Sequence, residues 1–284
     1  MEKNEASPLL IIGVQPDLVT RPLWEKLSEI APEVEIRRDT PRHLGAELSS
    51  GNLDAALVPL LTILRNPEIT MIPDIALVSE DKVGSVFLFS KTAPADIRKV
   101  LVDRSSVISI ALLRALFRIR WSMQPVEVLS SSPLKPDYPF MDSDYDAYLV
   151  IGDAALQVEA DFPHCLDLGE QWRQWTGLPF VWSVWGVRSG LLGPALGEMF
   201  KESMELGKNS LHEIARAVSE SEGIRESSCL DVLNNLHFTI GDEEQRAIKR
   251  FFYYMSELTI CDTNLTIQMY RGEETEEFLL EQTL

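Results

Sequence analysis

Short apolar runs alternate with amphipathic stretches through the first two thirds of the chain. A short apolar run bounded by turn residues predicts a buried strand. Such runs occupy residues 9–14, 34–37, 53–59, 83–90, 99–103, 146–151 and 179–187. Amphipathic stretches between them predict helices over residues 21–31 and 106–117, and a third helix with Thr40 as N-cap and Gly51 as its stop. Alternating strands and helices predict parallel sheets covered by helices.

The pattern becomes almost wholly helical after Gly193. Helices are predicted at residues 194–207, 210–222, 228–236 and 242–258. The tail from residue 259 contains an acidic run at 273–277 and is predicted to be a solvated extension or a loosely docked helix. The Ser- and Pro-rich stretch at 125–144 is predicted to be a loop.

Two α/β lobes joined by two crossings, with the C-terminal helices packed on the first lobe, are typical of the type II periplasmic-binding-protein-like fold. We predict that residues 1–90 and 187–284 form lobe 1 and that residues 91–186 form lobe 2. Ligands of open α/β sheets bind at the carboxyl ends of the strands. The predicted binding site is therefore the cleft between the lobes.

Composition and charge exclude several kinds of partner. The 284 residues include 26 Lys and Arg against 44 Asp and Glu, a net charge of −18, whereas binding to phosphates requires a basic face. We therefore expect neither a nucleic acid nor a membrane surface as partner. The three cysteines form no CxxC pair and the four histidines no HxxxH pair, so no metal site is predicted. The acidic residues at 1–5 and the six-residue apolar run do not fit a signal peptide, which predicts a cytoplasmic location.

Several longer motifs connect the chain to a known family. They are Arg-Pro-Leu at 21–23, Leu-Asp-Ala-Ala-Leu-Val-Pro at 53–59, Ser-Val-Phe-Leu-Phe-Ser-Lys at 85–91, Asp-Arg-Ser-Ser at 103–106, Asp-Ala-Tyr-Leu-Val-Ile-Gly-Asp at 146–153 and Thr-Gly-Leu-Pro-Phe-Val at 176–181. Over most of residues 8–258 the chain resembles the chorismate dehydratases of the menaquinone-biosynthesis family that works through futalosine.

The resemblance implies a carbon–oxygen hydro-lyase with a small anionic substrate. Chorismate would lose water to give 3-[(1-carboxyvinyl)oxy]benzoate, without a metal or redox cofactor. One proposal for the family lets the side-chain carboxylate of the substrate take the ring proton, so that the protein orients and hydrogen-bonds the substrate. The sequence predicts no oligomeric state.

Ser85 is the first candidate site residue, as a catalytic and substrate-contacting hydroxyl that matches a family motif. Its other possible role is that of a strand-edge serine bonded to backbone. The remaining predicted binding residues are Val19, Arg21, Ser106, Ser109, Asp153 and Trp182.

Each of these residues also has an ordinary structural role open to it. Ser106 and Ser109 begin a predicted helix, where hydroxyls and free N–H groups attract carboxylates but also serve as caps. Asp153 fits a helix cap equally well. Arg21 also fits a surface arginine, and Trp182 fits core packing.

Three apolar residues depart from the family pattern. Val19 stands where the family usually has asparagine, and Val107 and Ile108 lie in a turn that is Ser-Arg-Thr-Ser in the family. Loss of a hydrogen bond to a charged group costs about 1.5–3 kcal/mol. A second interpretation therefore stays open, in which the chain is a non-catalytic cytoplasmic binding or sensing protein for a small aromatic or carboxylate ligand.

Overall fold

The computed structural model describes residues 10–188, 194–262, 265–271 and 274–280. The strands of these residues are β1 Ile11–Val14, β2 Glu35–Arg38, β3 Ala55–Pro59, β4 Ile69–Ser79, β5 Val86–Ser90, β6 Lys99–Val102, β7 Val126–Leu129, β8 Ala147–Ile151, β9 His164–Asp167, β10 Phe180–Arg188, β11 Leu236–Thr239, β12 Leu265–Arg271 and β13 Glu274–Leu280.

The helices lie between these strands and dominate after β10. They are α1 Arg21–Trp24, α2 Leu27–Ile30, α3 Pro41–Ser50, α4 Leu60–Arg65, α5 Val107–Ala115, α6 Asp153–Leu156, α7 Leu168–Thr176, α8 Pro194–Asn209, α9 Leu211–Glu222, α10 Glu226–Asn234 and α11 Asp242–Glu257. Short 3₁₀ turns occupy Leu18–Thr20 and Pro94–Asp96, and a π-helical turn extends α5 over Leu116–Arg120. Within the described ranges, none of the helices is long and apolar enough to cross a membrane.

The larger sheet has the strand order β13-β12-β4-β10-β3-β1-β2, with β11 paired to β4. Its centre is mixed, because β1 runs parallel to β2 and β3 whereas β10 runs antiparallel to both β3 and β4. Every residue of β3 is buried, as expected for a central strand covered on both faces.

The smaller sheet has the order β7-β6-β8-β5-β9. β6 pairs in parallel with β7 and β8, and β5 pairs antiparallel with β8 and β9. The two sheets form two α/β lobes, so the predicted two-lobed fold is confirmed.

The C-terminal helices pack on the lobe that holds the larger sheet. A Cβ at Gly207 of α8 would lie 2.0 Å from the carbonyl oxygen of Pro22, so the absence of a side chain allows α8 to reach α1. Ser203 of α8 donates to the carbonyl of Leu23 at 3.1 Å. On the other side, Phe251 of α11 meets Phe180 of β10 edge-on at 5.2 Å.

Strand pairing differs from the predicted lobe boundaries at both crossings. β5 pairs within the smaller sheet although residues 83–90 were assigned to lobe 1. β10 pairs within the larger sheet although most of it was assigned to lobe 2. The chain therefore crosses between β4 and β5, and again between β9 and β10. An apolar run predicts that a strand is buried, but it does not indicate which sheet the strand joins.

Other elements also differ from the predictions. The predicted helix at 21–31 is the pair α1 and α2, and part of the predicted loop at 125–144 is the strand β7. The tail contains the antiparallel pair β12 and β13, neither a solvated extension nor a helix, and β12 pairs with β4. The sequence reasoning also missed β4, an 11-residue strand with Pro73 inside it and Asp74 at a φ of 66°.

Candidate functional site

A cavity between the two lobes opens at the carboxyl ends of β1, β3 and β8. It contains about 470 Å³ of empty space, counted out to its open mouth. Its lining combines hydroxyl, amide and apolar groups, with Asp17 as the charged side chain among the described residues that line it. The lining residues are Gln15, Asp17, Val19, Pro41, Pro59, Leu77, Val83, Ser85, Val86, Ser106, Val107, Ile108, Ser109, Ile151, Gly152, Trp182 and Ser183.

Ser85 lies at the first crossing, immediately before β5, and is 1% exposed. Its carbonyl accepts a hydrogen bond from the amide of Gly152 at 2.8 Å. The preceding amides of Val83 and Gly84 donate to the carboxylate of Asp167, at 3.1 and 2.7 Å. Asp167 lies at the second crossing, where it also caps α7 by accepting from the amide of Glu170. One carboxylate therefore connects both crossings and fixes the backbone that presents Ser85.

The amino terminus of α5 points into the same cavity. Ser106 is the N-cap residue, but its side chain makes no capping bond. Its hydroxyl oxygen is buried and has no hydrogen-bond partner among the described residues. No acidic residue lies in the first turn of α5, and Ser109 adds a second buried hydroxyl to the lining. Free N–H groups and the helix dipole at such a terminus favour a negatively charged ligand group.

The wall from the larger sheet is held by a small polar network. The side-chain amide of Gln15 donates to the carbonyl of Leu57 at 3.0 Å and to the hydroxyl of Ser183 at 3.1 Å. The indole N–H of Trp182 donates to the hydroxyl of Ser79 at 2.9 Å. Because this bond satisfies the indole nitrogen, the ring of Trp182 contributes an apolar surface to the cavity.

Val19, Val107 and Ile108 bring three further apolar side chains to the lining. Val19 and Ile108 are each 6% exposed. None of the three has a side-chain donor for a carboxylate. Polar contact with a ligand therefore depends on the serine hydroxyls, Gln15, Asp17 and backbone amides.

A second cavity shares Asp17, Pro41 and Ile151 with the first. It is also lined by the acidic residues Asp103, Asp153 and Glu222, and by Arg21. Burial, together with the nearby Asp17 carboxylate, raises the pKa of Asp153 to about 7. Burial also raises the pKa of Asp17, while the backbone amide of Asp153 lowers it. The described part of the chain contains no group of three or more His, Cys, Asp or Glu residues that could hold a metal ion.

The structure brings together five of the seven residues that were predicted to bind the substrate. Lining the first cavity are Val19, Ser85, Ser106, Ser109 and Trp182. Arg21 and Asp153 line the second cavity instead. Arg21 is turned to its own segment, with Nε donating to the carbonyl of Pro16 at 3.2 Å and a guanidinium nitrogen 3.7 Å from Glu25.

Sequence reasoning missed three polar residues of the first cavity. Gln15 and Asp17 follow β1 directly, so the rule that ligands bind at the carboxyl ends of strands was the available signal. Ser183 is next to Trp182 on β10, but sequence alone did not indicate that Gln15 would contact it.

Two α/β lobes that enclose a cavity at their strand ends define this chain as a two-lobed, binding-protein-like protein. A crystal structure of a protein from Archaeoglobus fulgidus is similar, with a TM-score of 0.70 and 16% identity over 90% of this chain and 99% of its own. The periplasmic aliphatic sulphonate binding protein SsuA of Escherichia coli has a TM-score of 0.61 and 16% identity over 90% and 94%. These likenesses show the fold.

The sequence itself shows the family. The pattern that describes the menaquinone biosynthesis family matches residues 10–257, so this chain belongs to that family. A relative named chorismate dehydratase, from Thermus thermophilus, is 28% identical over 74% of this chain and 83% of its own.

Proposed function

We propose that this protein is a chorismate dehydratase that acts in menaquinone biosynthesis, by the futalosine route and in the cytoplasm. Family membership and the name of the Thermus thermophilus relative support the proposal. The observation that carries it is the cavity between the lobes, where Ser85 and the unpartnered hydroxyl of Ser106 lie beside the amino terminus of α5.

The amino terminus of α5 is suited to a carboxylate of the substrate. A carboxylate bound there would accept from the free amides of the first turn and from the Ser106 hydroxyl, which is buried without a partner. A buried polar group without a partner costs about 1–3 kcal/mol. A ligand oxygen that accepts from Ser106 would remove that cost, which favours an anionic ligand over an apolar one.

The apolar part of the lining is suited to the substrate ring. Trp182, Leu77 and Val19 are buried hydrophobic residues on the side of the larger sheet. An aromatic or nearly aromatic ring gains from contact with such surfaces. The cavity therefore combines a carboxylate position with an apolar ring position, as a cyclic carboxylic acid requires.

The proposed reaction removes one water molecule and changes no oxidation state overall. The C–H bond at the ether-bearing ring carbon breaks, and the adjacent C–O bond breaks as the hydroxyl leaves. The electron pair of the C–H bond completes the aromatic ring, which drives the reaction. Ser85 lines the cavity, so in this proposal its hydroxyl hydrogen-bonds the reacting part of the substrate, and such preorganised donors lower the barrier where charge develops.

The direct test is to mix the purified protein with chorismate and to follow the aromatic enol ether by chromatography and mass spectrometry. Ser85→Ala should lose activity, whereas Ser90→Ala is a matched control on the same strand segment, since its hydroxyl donates to the carbonyl of Thr92 and lies outside the cavity lining. Calorimetric binding of chorismate without turnover would instead support a binding or sensing protein. Neither binding nor turnover would refute the proposal.

A further inference from the structure

Asp17 has an unusual position for a carboxylate next to an anionic substrate. Asp17 is the charged side chain among the described residues that line the first cavity, and none of those residues is a lysine or an arginine. An ionised Asp17 would repel the substrate carboxylates in a site of low dielectric constant. The position therefore suits a carboxyl group that is protonated when substrate is bound.

Asp17 and Asp153 reach toward each other from opposite lobes. A Cβ on Gly152 would lie 2.3 Å from Oδ1 of Asp17, so the carboxyl group packs directly on the backbone of that glycine. In return, Oδ1 of Asp153 accepts from the amide of Leu18 at 2.9 Å. The two acids thus form a pair where the linings of the two cavities meet.

Other titratable groups face this pair. Asp103 and Glu222 add negative charge from the loop after β6 and from the end of α9, and the thiol of Cys229 on α10 lies close to Asp153. Arg21 on α1 is the cation among them, and it interacts with Glu25. Negative charges therefore outnumber positive charges around the pair, which favours retention of a proton.

We propose that Asp17 is the general acid of the reaction and that Asp153 is a positioning residue that holds the proton on the pair. This inference rests on the proposed function. It has a second, independent support in the buried and unpartnered hydroxyl of Ser106, which lines the same cavity and indicates that a ligand belongs there.

The step balances without a further reactant. Asp17 donates its proton to the hydroxyl oxygen as the C–O bond breaks, so that water leaves instead of hydroxide. The ring proton goes to a base, for which the side-chain carboxylate of the substrate serves under the proposed function. That proton returns to the Asp17 carboxylate directly or through water, which restores the pair for the next turnover.

Burial is the main cause that raises the pKa of both acids, and the Asp17 carboxylate contributes to the rise of the Asp153 pKa to about 7. Two such groups titrate together, so the first proton lost at rising pH belongs to the pair. Because burial raises the pKa of Asp17, this acid keeps its proton to a higher pH than an exposed aspartate does, which is the direction that a general acid requires.

The test is the pH profile of kcat in three variants. Asp17→Asn keeps the shape of the side chain but cannot donate an acidic proton, and kcat should fall by about 10²–10⁴-fold, the usual contribution of general acid catalysis, while KM changes little. Asp153→Asn removes the neighbouring negative charge, so the alkaline limb should shift to lower pH. Glu220→Gln is the control, because Glu220 is exposed on the same helix α9 as Glu222 and lines neither cavity.

Turnover by Asp17→Asn at a rate close to that of the unaltered protein would overturn the general-acid role and leave the proposed function intact. An unshifted alkaline limb in Asp153→Asn would overturn the positioning role. Absence of turnover in the unaltered protein would remove both the function and the acid step. Infrared absorption of a protonated carboxyl group at neutral pH, lost in Asp17→Asn, supports the pair independently of activity; absence of that band in the unaltered protein overturns it.

Discussion

Replacement of Asp167 by alanine should be among the most destabilising single changes at the lobe crossings. The carboxylate is 2% exposed and accepts from three backbone amides, those of Val83, Gly84 and Glu170. Alanine would leave these donors without their acceptor. Each buried unsatisfied donor costs about 1–3 kcal/mol, and water entering the space would recover part of that cost. We therefore expect a loss of about 3–5 kcal/mol in the free energy of unfolding.

Urea unfolding followed by tryptophan fluorescence measures this loss directly. The matched control is Thr40→Ala, because Thr40 caps α3 through one bond, to the amide of His43, and loss of a single N-cap costs about 1 kcal/mol. Since the Asp167 contacts also fix the backbone before Ser85, Asp167→Ala should lower kcat, whereas Thr40→Ala should not. A stability loss no larger than that of Thr40→Ala would refute the conclusion that Asp167 connects the two crossings.

Four further outcomes are expected from other parts of the structure. The pKa of Asp153 is raised in the folded state from 3.8 to about 7, so its contribution to stability is complete below about pH 4 and is lost as the pH rises through about 7. At about 1.4 kcal/mol per pH unit, the free energy of unfolding of Asp153→Asn, measured in urea, should rise by up to about 4 kcal/mol relative to that of the unaltered protein over this pH range. Gly207→Ala should lower the melting temperature despite the better helix propensity of alanine, since its Cβ would meet the carbonyl of Pro22 at 2.0 Å. Trp182→Phe leaves the buried Ser79 hydroxyl without its donor and should cost about 1–3 kcal/mol in unfolding free energy and raise KM for chorismate. Because the net charge is −18, added salt should raise kcat/KM for an anionic substrate by screening repulsion, and a fall between low and physiological ionic strength would contradict this.

The elements that the sequence predicted best have their signals close together in the chain. The helix α3 begins at Pro41 after its N-cap Thr40, and it ends at Ser50, before the C-cap Gly51 with a φ of 81°. These caps act within a few residues of the helix, so the pattern alone places it. The same holds for β10, whose predicted range differs from the observed one by a single residue at each end.

The elements that the sequence did not predict depend on distant partners. β4 contains Pro73 and Asp74, a pair typical of turns, yet the strand continues because β10 and β11 pair with its two sides. The acidic tail has a composition typical of a solvated segment, but β12 joins the edge of the larger sheet next to β4. Sheet membership and edge pairing are tertiary facts, and a single segment does not encode them.

The candidate site shows the same division. Ser85, Ser106 and Ser109 lie in short motifs between a strand and the following element, and the fold brings these motifs to one cavity. The cavity side on which Arg21 and Asp153 lie depends instead on how the lobes close over the segment after β1. For that reason the sequence motifs placed Arg21 and Asp153 near the site but did not predict which cavity they line.

The buried carboxylates around the cleft differ in how many donors they receive. Asp167 accepts from three backbone amides, and Asp103 accepts from the amides of Ser105 and Leu134 and from the Ser105 hydroxyl. Hydrogen bonds of this kind fix the carboxylate and the loops that donate to it. Asp153 receives one such bond, from Leu18, and faces the negative charge of Asp17. The donors around Asp167 and Asp103 suit acids that hold loops in place, whereas the position of Asp17 in the lining of the first cavity suits an acid that exchanges a proton with a ligand.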